Sequence, residues 1–178
     1  RTESFLVGSG NLQIETTNLW EGGQKLAGLS TKINDVDEDK KEKVTIVIAH
    51  AGSVDFPCSD EEAGHKFEKY TQELDIIHKT YPNAYIIMSS IPPRMGDSEF
   101  TKEANSQIKA FNKRLEGLKE INEKYYFICN WSYLIDKEGV QKDLYKETDP
   151  EGIHLAIDGR KALARAWLDE IERLSIMR

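Results

Sequence analysis

Cysteine is scarce in this sequence, and long apolar runs are missing altogether. The two cysteines, Cys58 and Cys129, form neither a CxxC pair nor a zinc-ligand spacing. We therefore expect buried, reduced thiols in an intracellular, cytoplasmic protein. Because no apolar run approaches about 20 residues, the sequence does not predict a membrane span.

Positive charge is also in short supply. Lysine and arginine number 24 against 31 aspartates and glutamates, which gives a formal net charge of -7. Nucleic acids and anionic membranes would repel this average charge, so neither is favoured as a partner. The residues Arg160, Lys161 and Arg165 could still form a local patch for RNA, although solvated charges on a helix explain them more simply.

Metal and cofactor motifs are absent from the sequence as well. It has no HExxH motif and no cluster of cysteine, histidine and carboxylate residues, so we expect neither a metal site nor a cofactor. His65 and His78 fall in a helical pattern and should face solvent. His50 follows a strand-like run and is most simply a packed structural histidine.

Strand-like and helical patterns alternate along the chain. The strand-like runs are Ser4–Val7, Leu12–Trp20, Val44–Ala49, Ala84–Met88 and Tyr125–Cys129. Helical spacing of apolar residues covers Gln24–Ile33, Phe67–Tyr81, Phe100–Leu118 and Leu163–Leu174. This alternation predicts an α/β fold with a parallel sheet, in a single domain of residues 1–178 that we expect to be cut from a longer protein.

The connection between the first two predicted strands fits this arrangement poorly. Parallel neighbours usually need a crossover of about a dozen residues or more. The loop that follows Val7 is much shorter. Either this link is unusual, or a segment between Gly10 and Trp20 is missing from the chain.

The segment Asp149–Leu168 joins a short polar loop to a helix, and His154 lies at the junction. Glu151 precedes this histidine by three residues, a spacing at which a carboxylate can orient an imidazole and stabilise its protonated form. Gly152 supplies a flexible link between them. The pair is either the base half of a hydrolytic triad or a hydrogen bond that only braces the loop.

Three further loops follow predicted strands and contain glycine: Gly8–Gly10, Gly22-Gly23 and Gly52–Asp55. Ligands bind at the carboxyl ends of the strands in an open parallel sheet, so these loops and Glu151–His154 should converge on one rim. The four blocks resemble those of the SGNH, or GDSL, hydrolase superfamily. This resemblance spans nearly the whole chain and implies a three-layer, flavodoxin-like fold, with a five-stranded parallel sheet and helices on both faces.

Two subgroups of that superfamily are similar to this chain. They are the esterase-like domains in first-open-reading-frame proteins of non-LTR retrotransposons and the degenerate, RNA-binding C-terminal domain of Oskar. The segments Ser89–Arg94, Asn105–Asn112 and Glu151–Leu155 carry this likeness.

The resemblance implies a serine nucleophile in the first block. The family motif Gly-Asp-Ser is matched here by Gly8-Ser9-Gly10, so Gly10 occupies the nucleophile position. Ser9 is a substitute one residue early. In the second block, the oxyanion-hole glycine of the family corresponds to Gly22 or Gly23.

The third and fourth blocks retain only part of the family pattern. The motif Gly-x-Asn-Asp corresponds to Gly52-Ser53-Val54-Asp55, and Val54 cannot donate the hydrogen bond that the asparagine gives to an oxyanion. The motif Asp-x-x-His is matched by Glu151 and His154. Loss of one oxyanion donor costs about 10²- to 10³-fold in rate, and loss of the serine removes covalent catalysis.

The sequence therefore predicts a catalytically inactive SGNH hydrolase-like domain. It would serve as a binding or assembly module, with a protein partner or the remainder of its parent protein as its ligand. One alternative is a working serine esterase that uses Ser9 or another serine with His154. The other alternative is an RNA-binding module.

Overall fold

A computed structural model describes residues 2–7, 12–17, 24–33 and 36–176. Its strands are β1 (Thr2–Val7), β2 (Leu12–Thr17), β3 (Ile46–Ala49), β4 (Tyr85–Ser89), β5 (Tyr125–Ile128), β6 (Ile135–Asp136) and β7 (Gly139–Val140). Its α-helices are α1 (Glu38–Lys41), α2 (Asp60–Thr80), α3 (Glu99–Gly117), α4 (Trp131–Leu134) and α5 (Ile157–Ile176). Short 3₁₀ turns cover Leu26–Gly28, Leu118–Glu120 and Lys142–Leu144.

A parallel sheet with the strand order β3-β4-β5 forms the centre of the fold. Ile48 of β3 lies beside Ile87 of β4, and Ile87 lies beside Tyr126 of β5. Ile86, Ile87 and Met88 are fully buried. This is the pattern of a central parallel strand that is covered on both faces. The predicted α/β fold with a parallel sheet is confirmed.

Helices cover both faces of this sheet. On one face, Met88 belongs to a buried cluster with Leu74 of α2 and Ile108 of α3. On the other face, Ile87 belongs to a cluster with Leu174 of α5. Neighbouring residues of a strand point to opposite faces, so β4 contributes to both layers of the core. The predicted helix-sheet-helix layering is confirmed.

The predicted five-stranded parallel sheet is not confirmed, since the described residues place three strands in it. Strands β1 and β2 instead pair with each other in an antiparallel sheet, from Thr2 opposite Thr17 to Val7 opposite Leu12. The short connection explains this difference, because antiparallel neighbours need only a tight turn whereas parallel neighbours need a long crossover. The sequence-based prediction that β1 enters the central sheet was wrong for these described strands.

Serine residues define where α2 and α3, the two long helices on one face of the sheet, begin. The Ser59 hydroxyl accepts the backbone N–H of Glu62 at 3.2 Å, and the Glu62 carboxylate accepts the backbone N–H of Ser59 at 2.8 Å. This reciprocal capping box starts α2. Ser98 starts α3 by accepting the backbone N–H of Thr101 at 3.1 Å. Within the described residues, every helix is too short or too polar to span a bilayer.

Three amide side chains of α3 hold the loops that follow β3 and β4. Each side chain accepts a backbone N–H and donates to the backbone carbonyl of the same residue. Asn105 pairs in this way with Arg94 at 2.7 and 2.9 Å, and Asn112 pairs with Ile91 at 2.9 and 2.9 Å. Gln107 pairs with Cys58 at 2.9 and 2.8 Å. Both loops are therefore fixed to the helix without forming strands.

The structure corrects two expectations about side-chain burial. Cys58 is half-buried and Cys129 is exposed, so the prediction of buried thiols was wrong for Cys129. His65 is exposed, as predicted. His78 is half-buried instead and packs edge-on against Tyr125, with 6.0 Å between the ring centroids. The prediction that His78 faces solvent was therefore wrong.

Candidate functional site

The loop before α5 forms a carboxylate–imidazole pair from Asp149 and His154. Asp149 Oδ2 lies 2.9 Å from His154 Nδ1, and the two side chains are 6% and 59% exposed. The same oxygen accepts the backbone N–H groups of Ile153 at 2.7 Å and His154 at 2.6 Å, while Oδ1 accepts that of Glu151 at 3.1 Å. Burial opposes ionisation of Asp149, but these hydrogen bonds outweigh it, so the pKa of the carboxyl group lies below its ordinary value.

Asp149, rather than the predicted Glu151, is the carboxylate that orients His154. The side chain of Glu151 is exposed, and its backbone N–H binds Asp149. An aspartate that accepts the N–H two residues further on forms an Asx-turn, which wraps the following loop around its own carboxylate. The three-residue spacing between Glu151 and His154 predicted Glu151 as the partner. The five-residue spacing from Asp149 was the signal that the sequence reasoning missed.

Gly152 is a fixed point of this loop, although the sequence suggested a flexible link. It is buried with φ at 63°. Its N–H donates to the Asp149 carbonyl at 3.2 Å, and its carbonyl accepts the Met95 N–H at 2.8 Å. A Cβ atom at this position would lie 2.0 Å from the Met95 carbonyl oxygen. Only glycine fits this conformation and this close approach of two backbones.

Arg94 joins the loop after β3 to the loop before α5. The side chain is buried, with 3% exposure. Its Nη2 donates to the carbonyls of Ser53, at 3.0 Å, and Phe56, and its Nη1 makes a long contact of 3.5 Å with the Glu151 carbonyl. Burial lowers the pKa of the guanidinium, and the carboxylates of Glu151 and Asp149 offset part of this effect. No local sequence pattern marks Arg94 for this role.

The third block lies in the loop that Arg94 holds. The backbone N–H of Gly52 donates to the Gln24 carbonyl at 3.1 Å, and the Leu26 N–H donates to Asp55 Oδ2 at 2.9 Å. Val54 is half-buried and has no polar side-chain atom. Gly52, a predicted oxyanion-hole position, therefore uses its N–H inside the protein.

The other predicted positions of the site are Ser9, Gly10, Gly22 and Gly23, and they lie outside the described residues. Their arrangement around His154 stays a prediction. The fold does bring the third and fourth blocks together through Arg94, which contacts the carbonyls of Ser53 and Glu151.

Ser89, at the carboxyl end of β4, is the centre of a buried polar cluster. Its Oγ lies 2.7 Å from Asn130 Nδ2, 2.9 Å from Trp167 Nε1 and 2.9 Å from His50 Nδ1. The two nitrogens of Asn130 and Trp167 can only donate, so they fill both lone pairs of the hydroxyl. The Ser89 proton is therefore donated to His50 Nδ1, and neutral His50 carries its proton on Nε2. Ser89 thus connects the loop after β3, the start of α4 and helix α5. Its hydroxyl oxygen has no lone pair left for nucleophilic attack.

Burial lowers the pKa of His50 from 6.5 to about 4. Between these values the unfolded chain binds a proton that the folded chain does not, so acid should remove about 3 kcal/mol of stability as the pH falls from about 6.5 to about 4. We expect the His50→Gln variant to show a shallower loss over this range, because glutamine does not titrate. Urea unfolding at several pH values measures both curves, and parallel curves would contradict the assignment.

The predicted basic patch lies on the exposed surface of α5 beside acidic residues. Lys161 Nζ lies 2.8 Å from Asp158 Oδ1, and Arg165 Nε lies 2.8 Å from Asp169 Oδ1. These carboxylates offset the charge that RNA would require, which supports solvated side chains over an RNA surface. Among the described residues, no three side chains of the metal-binding types come together.

Comparison with known proteins finds solved structures with a similar fold, and several of them are described as hydrolases. No protein-family model matches the sequence, and no curated protein matches it. A Streptococcus pneumonia protein proposed to be a platelet activating factor superposes with a TM-score of 0.66 at 18% identity, over 83% of this chain and 68% of that one. A GDSL-like lipase from Bacteroides thetaiotaomicron superposes with a TM-score of 0.61 at 14% identity, over 85% and 73%.

The two predicted subgroups are also found among the similar structures. The OSK domain of Drosophila Oskar superposes with a TM-score of 0.59 at 18% identity, over 81% of this chain and 68% of that one. The esterase domain of the zebrafish ZfL2-1 ORF1 protein matches with a TM-score of 0.49 at 22% identity, over 70% of this chain and 68% of that one. At these identities the likeness shows the fold alone, and the fold agrees with the predicted resemblance.

Proposed function

We propose that this chain, which has the fold of GDSL-like hydrolases, is a catalytically inactive binding or assembly module of a larger protein. The loop of the third block carries this proposal. Val54 stands where the family has an asparagine donor, and the N–H of Gly52 donates a hydrogen bond to the Gln24 carbonyl at 3.1 Å. Neither group is available to stabilise an oxyanion, which is usually the largest single contribution to acyl-transfer catalysis.

The serines near the sheet edge support the same conclusion. Ser89 Oγ accepts two hydrogen bonds and donates one, as described above. Ser90 is fully buried, and its Oγ accepts the Asn130 N–H at 2.7 Å. Gly10 stands at the position of the family nucleophile. His154 could act as a base, but neither Ser89 nor Ser90 can serve as its nucleophile. Loss of a triad serine alone lowers kcat by about 10⁶-fold in a serine protease.

We expect no turnover of p-nitrophenyl acetate above the rate in buffer. The His154→Ala variant, which removes an exposed side chain, should fold and give the same background rate. A wild-type rate that disappears in His154→Ala would show that a serine of this chain works with the base, and would replace the proposal by the esterase alternative.

A double substitution tests whether the site is inactive only because it lacks the serine and the asparagine, or also because its shape has changed. Gly10→Ser combined with Val54→Asn restores both missing group types. Because a displacement of about 1 Å can cost about a hundredfold in rate, we expect no more than trace hydrolysis from this double variant. Stoichiometric labelling of the new serine by an organophosphonate would instead indicate intact catalytic geometry.

A further inference from the structure

We infer that the outer edge of β5 is a dimer interface, at which a second copy of this chain adds its own β5 in antiparallel register. The strand order β3-β4-β5 leaves β5 at one end of the central sheet, and no described strand lies beside its outer edge. The inference does not rest on the proposed function, because it concerns another surface and holds whether or not the Asp149–His154 pair is catalytic.

The pairing of β5 with β4 decides which backbone groups of β5 point outward. The Ile86 N–H donates to the Lys124 carbonyl at 2.8 Å, and the Ser90 N–H donates to the Ile128 carbonyl at 2.9 Å. Alternate residues of a strand direct their backbone groups to opposite edges. Residues 125, 127 and 129 therefore direct their N–H and carbonyl groups away from β4.

Two of these outward groups are already bonded within the chain. The Tyr125 N–H donates to the Asn122 carbonyl at 2.9 Å, and the Cys129 carbonyl accepts the Ser132 hydroxyl at 3.3 Å. The other outward groups are the Tyr125 carbonyl, both groups of Phe127 and the Cys129 N–H. Among the described residues these groups have no hydrogen-bond partner.

This set of groups is complementary to its own reverse. When two β5 edges run antiparallel about a two-fold axis at Phe127, the two Phe127 residues exchange both of their hydrogen bonds. Each Cys129 N–H then donates to the Tyr125 carbonyl of the other copy. The groups that this register does not use are the two that are bonded within each chain. A strand of another protein would place its own N–H and carbonyl opposite those two groups without a partner, which is unfavourable.

The edge has none of the features that usually prevent strands from pairing. Tyr125–Cys129 contains no charge, no proline and no glycine. Lys124 precedes this segment, but its Nζ donates to the Pro82 carbonyl at 2.7 Å. A groove of about 310 Å³ lies along the edge, and its lining consists of Lys119, Glu123, Tyr125, Tyr126, Phe127 and Arg173. The outer edge of the strand is therefore open to a second strand.

The local charge allows two copies to approach, although each carries a net charge of -7. Lys119 Nζ lies 3.3 Å from Glu116 Oε1, and Arg173 Nε lies 2.9 Å from Glu170 Oε2. Because these cations have carboxylate partners, the groove is close to neutral. A neutral edge suits an identical copy better than a nucleic acid, which requires uncompensated cations.

A matched pair of substitutions at Cys129 tests the backbone contacts by sedimentation equilibrium. We expect a monomer–dimer equilibrium in the parent protein. Cys129→Pro removes the outward N–H of an exposed residue, and with it two hydrogen bonds of the dimer, so the dissociation constant should rise about tenfold or more. Cys129→Ala keeps the N–H and should leave the constant unchanged. A parent protein that stays monomeric up to its solubility limit would overturn the inference, as would equal effects of the two variants.

Disulfide cross-linking tests the register without the proline. With Phe127 opposite itself, the two Cα atoms at position 127 lie about 5.5 Å apart, whereas those at position 129 lie about 14 Å apart. A disulfide requires a Cα separation below about 7 Å. Under mild oxidation, a Phe127→Cys, Cys129→Ser protein should form a covalent dimer, and the parent should not, with Cys58→Ser in both. Cross-linking through Cys129, or none at position 127, would contradict this interface.

Discussion

Arg94→Met should lower the free energy of unfolding by about 3 kcal/mol, because it removes the donor to three backbone carbonyls in a buried position. Those carbonyls belong to Ser53, Phe56 and Glu151, in two loops that are distant in sequence. Methionine fills much of the same volume but donates no hydrogen bond. Without the guanidinium, both loops should exchange their amide protons faster. Urea denaturation and hydrogen exchange measure the two effects.

Arg114→Met is the matched control for this substitution. Arg114 also lies over an aromatic ring, with 3.8 Å between its guanidinium carbon and the centroid of Phe67, but it is exposed. Exposed cation–π contacts contribute about 0.5–1 kcal/mol, so this variant should stay close to the parent. Equal losses in the two variants would mean that the carbonyl contacts of Arg94 contribute nothing to stability.

Gly152→Ala is expected to cost about 3 kcal/mol or more, since it combines a left-handed backbone with a steric clash. The added Cβ would lie 2.0 Å from the carbonyl oxygen of Met95, at a φ of +63°. The loop has to move away from Met95, and the Asp149–His154 hydrogen bond should weaken with it. Thermal unfolding measures the stability, and the downfield Nδ1 proton of His154 in the NMR spectrum reports the hydrogen bond.

Gly64→Ala provides the comparison within the same chain. Gly64 lies inside α2, and a Cβ there meets nothing within 4 Å. Alanine in an open helical position should stabilise the protein by up to about 1 kcal/mol. If Gly152→Ala were as well tolerated as Gly64→Ala, the close packing of the two loops would not exist in solution.

The sequence predicted those elements whose pattern is local. The apolar run before Ser89 and the helical spacing from Phe100 to Leu118 place β4 and α3 to within about two residues. Each of these segments is buried along its whole length or on one face, so neighbouring residues alone reveal its conformation. For His154 the sequence predicted a pair with Glu151, whereas the carboxylate in contact with its ring is that of Asp149.

The sequence did not predict the features that depend on contacts between distant residues. Arg94 reaches carbonyls that lie 41 and 57 residues away, and no local pattern marks such a role. Asp149 became the partner of His154 because three backbone N–H groups converge on its carboxylate, which a spacing rule does not describe. The antiparallel pairing of β1 with β2 was missed because the alternation of strand-like and helical segments predicted a parallel sheet, although the short connection fitted that arrangement poorly.

The amide side chains of α3 also require that the helix and the loop after β4 have matched lengths between their contacts. Asn105 and Asn112 are seven residues apart, which corresponds to about 10.5 Å along a helix. Their backbone partners, Arg94 and Ile91, are three residues apart, which corresponds to about 10 Å of extended chain. Helix and loop thus run antiparallel at matched lengths, with two prolines between the contacts. A single inserted residue in either segment would leave one amide opposite the wrong peptide group, so this part of the chain should tolerate substitutions better than changes in length.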